Sequence, residues 1–131
     1  MGASLAILHN SRPAHNHAEI QKVVGEVDGK IAIIFDDLVD TAGSVAAAAG
    51  ALRKNGAKKV FLAATHAVLS GDAKKKLATA NFEEIIFTDS IAQDFGEMKN
   101  VKILSIADLL AKTIRGVHEG RSVSKFWEAH R

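Results

Sequence analysis

Five consecutive apolar residues, Ile31–Phe35, stop abruptly at two adjacent acids, Asp36 and Asp37. A short apolar run rich in β-branched residues predicts a buried parallel strand. Three residues beyond Asp37 comes Asp40-Thr41-Ala42-Gly43-Ser44, a small hydroxyl-bearing turn that opens an alanine-rich segment with helical character. The order strand, acids, turn, helix restricts both the fold and the chemistry. Backbone N–H groups at a helix N-terminus, with the helix dipole behind them, take a phosphate. Carboxylates at the strand exit accept hydrogen bonds from vicinal hydroxyls, directly or through a metal. A sugar phosphate has both groups.

Composition excludes several alternatives. The chain has 131 residues, 47% hydrophobic and 24% charged, the ordinary balance of a globular domain, and its length predicts one domain over residues 1–131. A net charge of +2 with 5% aromatic residues gives no clustered basic face with stacking rings, so no nucleic-acid role is expected. Cysteine is absent, which removes disulfides and thiolate chemistry. The apolar stretches fall short of the roughly 20 residues of a membrane helix. The first residues lack the basic flank and apolar core of a secretory signal. The expectation is a cytoplasmic chain with no membrane partner.

Along the chain, Leu5–Leu8 reads as a short strand and His9–Glu26 as a polar loop without a period. Val23–Lys30 reads as a small extended piece and a turn leading into the Ile31–Phe35 strand. A helix is expected over Gly43–Asn55, with Gly56 placed to end it, then a strand at Val60–Thr65. Next come a helix at Gly71–Thr79 capped by Ser70, strands at Glu84–Phe87 and Val101–Leu104, and a closing amphipathic helix at Ser105–His118. Strands alternating with helices imply an α/β fold with a mainly parallel sheet and right-handed crossovers. Ligands of such sheets bind at the carboxyl ends of the strands. Asp36-Asp37, Thr65-His66 and Thr88-Asp89 fall there; for the last two pairs ordinary turn chemistry is the better reading. No glycine-rich dinucleotide or Walker-type loop is present.

The stretch Phe35–Ser44 resembles the phosphoribosyl pyrophosphate-binding motif shared by type I phosphoribosyltransferases and ribose-phosphate pyrophosphokinases. Alone it leaves the two open. Val24–Lys30, Gly56–Val60, Ala64–Gly71, Ser105–Arg115 and Val117–Ser124 resemble, in order, the C-terminal half of the pyrophosphokinases. The resemblance implies a three-layer αβα domain of the type I phosphoribosyltransferase kind. It implies transfer of the diphosphate of Mg-ATP to the anomeric hydroxyl of ribose 5-phosphate, giving phosphoribosyl pyrophosphate for nucleotide biosynthesis. Thr41, Ala42, Gly43 and Ser44 are then the 5-phosphate cradle, Asp36 and Asp37 hold the ribose hydroxyls, and Asp40 shapes the turn. Magnesium comes with the ATP and lies near Asp36 and Asp37 only through the sugar hydroxyls, so no metal site is expected within the chain. Ser122 and Ser124 match a regulatory tail that sits between subunits, and a homo-oligomer is implied.

Two departures restrict this expectation. With Arg12-Pro13 aligned to the family's mobile catalytic loop, Arg12 keeps a bidentate phosphate contact, but Asn10 stands where the family has its catalytic lysine. His9 and Ser11 also differ from the family pattern. The family's N-terminal half, with most ATP contacts, has no counterpart here, so the expected partners are that half or a homologous subunit. The expected chain binds ribose 5-phosphate or phosphoribosyl pyrophosphate and is inactive alone. The alternatives are a non-catalytic, synthetase-associated regulatory or binding subunit, and a phosphoribosyltransferase, for which no acceptor-base hood is visible. His15 and His17 read as solvated loop residues, Lys74–Lys76 as the wet face of a helix, and Phe126 and Trp127 as terminal packing.

Overall fold

A computed structural model describes residues 4–14 and 17–124. Four parallel strands form one sheet in the order β3-β4-β5-β6: β3 (Ile31–Val39), β4 (Lys59–Ala67), β5 (Ile85–Thr88) and β6 (Val101–Leu104). Helices α1 (Gly43–Lys54) and α2 (Ala73–Thr79) make the crossovers β3–α1–β4 and β4–α2–β5, and α3 (Ala107–His118) follows β6. No helix among the described residues is long and apolar enough to cross a membrane.

The core lies between the sheet and its first two helices. Val45, Ala49 and Leu52 of α1 and Ala73 and Leu77 of α2 pack with Val60, Leu62, Ile85 and Phe87 of the strands in one buried cluster. Alternation along β3 decides what each side chain meets. Ala32 and Ile34 face this cluster. Ile31, Ile33 and Phe35 face the other way and are 63%, 54% and 78% exposed. The predicted parallel strand is present, but its burial is incomplete: β3 is an edge strand, covered on one face only. Beside its first half lies a cleft of about 480 Å³ lined by Leu5, Ala6, Val27, Ile31, Ile33 and Phe35 among others.

The largest difference from the sequence reading is in the stretch expected to be a polar loop. It forms an antiparallel hairpin, β1 (Ile7–Ala14) and β2 (His17–Val24), with register shifts between His9 and Asn10 and between Ser11 and Ala14. A two-stranded ribbon is held by main-chain hydrogen bonds and needs no apolar period. The hairpin packs on α1 through β2. His15 lies outside the described residues, as do Phe126 and Trp127.

Smaller differences have local causes. Strands β3 and β4 continue past their apolar runs, to Val39 and Ala67, because the ladder is main chain and accepts polar side chains at its end. Helix α2 starts at Ala73 after Asp72, with no side-chain cap, so Ser70 is not its cap. Gly56 ends α1 as predicted, at φ 88°; a Cβ there would come within 2.0 Å of Asp28 Oδ1. Strands β5 and β6 are joined by an irregular segment whose Phe95 stacks on Phe87 at 5.8 Å between ring centroids. In α3, Leu110, Ile114 and Val117 of the apolar stripe are exposed.

Candidate functional site

In the carboxyl-terminal half of β3, which stays paired with β4 through Val39, Asp36 and Asp37 are exposed, and Asp36 Oδ1 accepts the Asp37 N–H at 3.0 Å. Val39 drops back into the core, while Asp40 and Thr41 are exposed. Ala42 then takes a left-handed conformation, φ 58° and ψ 6°, although it carries a Cβ and is buried. An L-residue held there stores about 1 kcal/mol or more, and such outliers cluster at ligand clamps. Here it turns the chain sharply into α1, whose first helical hydrogen bond runs from Ala46 N–H to the Ala42 carbonyl at 3.1 Å. No side chain caps α1 and no acid stands in its first turn. The N–H groups at its start therefore point outward without an intrahelical partner or a competing negative charge. The structure thus brings Asp36, Asp37, Asp40, Thr41, Ala42, Gly43 and Ser44 to one strand-to-helix turn.

The connection from β4 to α2 holds this turn from behind. The Val39 carbonyl accepts N–H groups from Val68 at 3.0 Å and Leu69 at 3.1 Å, and the Asp40 carbonyl accepts the Ser70 N–H at 3.0 Å. The Thr41 carbonyl accepts Lys76 Nζ at 3.3 Å. Leu69 is itself left-handed, at φ 54°, and buried. Three successive peptide carbonyls are thus drawn to one side. A trans peptide points its N–H opposite its C=O, so the amides of Asp40, Thr41 and Ala42 face the other side. The sequence reading missed this support. In the sequence Lys74–Lys76 reads as a solvated helix face, and only the i,i+4 spacing of Lys76 from Asp72 marks an ordered side chain. Asp72 Oδ1 lies 2.7 Å from Lys76 Nζ, and the ammonium holds the Asp72 carboxyl below its usual range.

At the neighbouring strand ends, His66 Nδ1 and Ser90 Oγ lie 2.9 Å apart, and the Ser90 and Thr88 hydroxyls both donate to the Thr65 carbonyl. Asp89 accepts the Ile106 N–H at 2.9 Å, and hydrogen bonds from Ser105 and Ile106 hold its carboxyl below the usual range. These pairs carry turn and junction chemistry. Asn10 and Arg12 lie on β1, where Asn10 pairs with Ile20 and Arg12 falls in the register shift between Ser11 and Ala14; their side chains lie outside what is described. Ser122 and Ser124 are exposed beyond the end of α3. Among the described residues no group of three His, Cys, Asp or Glu side chains converges as a metal site.

Parallel strands with crossover helices and a strand-to-helix turn at the carboxyl edge make this an α/β domain with its candidate site at the strand ends. Residues 9–128 match the family described as the phosphoribosyl synthetase-associated domain, and the chain belongs to that family. It is 43% identical over 126 residues to a ribose-phosphate pyrophosphokinase of Nostoc sp., covering 95% of this chain and 38% of that one. It is 45% identical over 125 residues to that of Staphylococcus haemolyticus, covering 95% and 39%. The structure superposes on the crystal structure of phosphoribosylpyrophosphate synthetase from Mycobacterium smegmatis with a TM-score of 0.77 and 43% identity, over 91% of this chain and 38% of that one. The chain thus spans about two fifths of the length of the relatives it matches.

Proposed function

We propose that this chain is the ribose-5-phosphate and phosphoribosyl-pyrophosphate binding portion of a ribose-phosphate pyrophosphokinase. The observation that carries the reading is the turn at Asp40–Ser44, with Ala42 left-handed and the start of α1 uncapped. The phosphate binds the N–H groups at the start of α1 and the Thr41 and Ser44 hydroxyls, and Asp36 and Asp37 take the ribose hydroxyls. The anomeric oxygen is thereby oriented toward the diphosphate donor, Mg-ATP. Transfer of this kind depends on positioning and on cationic stabilisation of developing charge. Two carboxylates alone do not complete a magnesium shell; an ion brought with the nucleotide would neutralise diphosphate charge, with Asp36 and Asp37 the acids nearest to it. Phosphorylated sugars and Mg-ATP place the work in the cytoplasm.

The remaining catalytic parts lie outside these 131 residues, in an N-terminal half or in a homologous subunit of an oligomer, and the isolated chain has no appreciable diphosphate-transfer activity. Arg12 supplies one phosphate-directed cation from the β1–β2 hairpin. Asn10, at the position aligned with the family's lysine, favours a second reading: a non-catalytic, synthetase-associated subunit that keeps the sugar-phosphate site. Ser122 and Ser124 belong to the regulatory contact in either case.

Calorimetry with ribose 5-phosphate and phosphoribosyl pyrophosphate tests the site. The wild type binds and Asp36→Ala/Thr41→Ala does not; equal heats for the two proteins, or no binding by either, overturn the assignment. Release of AMP by the isolated chain from ATP and ribose 5-phosphate overturns its inactivity. In a complex reconstituted with a homologous subunit, Asn10→Lys raises AMP release if the chain is a catalytic half; no change favours the regulatory reading.

A further inference from the structure

Lys76 is 35 residues from Thr41 in sequence, on a different helix, yet its ammonium donates to the Thr41 carbonyl and is held there by Asp72. The two flanking supports of the turn, from Val68–Leu69 and from Ser70, are main-chain hydrogen bonds. The third is a cation. We propose that Lys76 is a positioning residue of the anion turn, fixing and polarising the Thr41–Ala42 peptide so that the Ala42 N–H is a stronger and better-aimed donor to phosphate. This rests on the phosphate reading of the turn given above.

The physical basis is the shared amide plane. The Thr41 C=O and the Ala42 N–H belong to one trans peptide and point in opposite directions, so a cation on the oxygen lies behind the donor. Hydrogen bonds in a chain polarise one another, and a charged donor does so more than a neutral one. The Lys76 and Asp72 side chains are 39% and 63% exposed, and a solvent-exposed ion pair contributes little to stability. The role of the contact is therefore in the geometry and field of the turn rather than in holding α2. The left-handed Ala42 needs such support, because a residue held in a sparsely populated conformation persists only where its surroundings over-determine it.

The test compares wild type with Lys76→Met, Lys76→Gln and Lys76→Arg, using inorganic phosphate and ribose 5-phosphate in calorimetry. The neutral variants bind both probes about fivefold more weakly, the effect of one modest hydrogen bond. Lys76→Arg stays within about twofold of wild type, because a guanidinium keeps the charge and the donor. Thermal midpoints stay close to wild type, and in amide spectra the shifts of the neutral variants centre on Ala42. Equal affinity of wild type and both neutral variants overturns the role of Lys76 and leaves the site standing. Failure of Lys76→Arg to rescue binding overturns the charge argument. No binding of either probe by wild type overturns the phosphate reading, and this inference with it.

Discussion

The Asp37 N–H donates to Asp36 Oδ1 at 3.0 Å, so two adjacent carboxylates at the same strand exit hold different positions. Asp36 is folded back on its own chain and partly satisfied by it. Among the described residues the Asp37 carboxylate has no such tie, and it is exposed. Among the described residues Asp36 thus has one carboxylate oxygen already engaged and Asp37 neither, so the two acids are not equivalent acceptors.

Asp37→Ala accordingly leaves stability within about 0.5 kcal/mol, the usual range for an exposed substitution away from packing. It weakens ribose 5-phosphate by about tenfold, as for a lost charge-assisted hydrogen bond, and leaves inorganic phosphate unchanged. Calorimetry with the two probes separates hydroxyl recognition from phosphate recognition; equal losses for both count against the division.

At Gly43 an added Cβ meets nothing nearer than Thr41 Oγ1, at 3.8 Å. Gly43→Ala is therefore neutral or stabilising by up to about 1 kcal/mol, since glycine is the poorer helix former. The methyl group intrudes where a phosphate approaches the backbone, so binding falls while the melting temperature holds or rises. A variant that binds as wild type does removes Gly43 from the site.

Asp89 joins the end of β5 to the start of α3 through the Ile106 N–H. Its carboxyl is held below the usual value of 3.8, so the unfolded chain binds this proton more readily than the folded one. The contribution is complete above that usual value and is lost as pH falls through the lower folded value. Hydrogen exchange at Ile106, followed from about pH 5 to about pH 2, shows the loss of protection once the intrinsic rate is removed. Asp89→Asn flattens that loss.

Ile31, Ile33 and Phe35 line up on the uncovered face of edge strand β3 beside the 480 Å³ cleft. Sheets of this class bury both faces, and exposed apolar patches mark association. The chain self-associates in sedimentation, and Ile33→Glu/Phe35→Glu moves it toward monomer without loss of the ribose-phosphate turn. A clean monomer for wild type at every concentration tested sinks this prediction.

These particulars show what the residue pattern carried and what it did not. Ile31–Phe35, the Gly43 helix start, the Gly56 stop and the strand Val101–Leu104 were legible because apolar runs, small residues and left-handed glycine leave local marks. The β1–β2 hairpin left marks only at its ends, in the strand expected at Leu5–Leu8 and the extended piece from Val23, since main-chain pairing is indifferent to side-chain polarity. The seven residues from Asp36 to Ser44 could be picked out because acids and small residues are contiguous there. Lys76 could not, because its role depends on a crossover that returns α2 to the turn. The exposed face of β3 was equally hidden: an apolar strand reads the same whether or not its covering layer belongs to the same chain.

The carbonyls of Val39 and Asp40 are held by the N–H groups of Val68, Leu69 and Ser70, atoms that every residue except proline supplies. At Val39 and Asp40 the shape of the turn is thus largely independent of which side chains occupy positions 68–70. On the proposed function, substitution at Asn10 or elsewhere in the hairpin removes chemistry while the turn keeps its shape. On that reading ligand capture and catalysis are separately heritable, and a lineage can keep the first after it has given up the second.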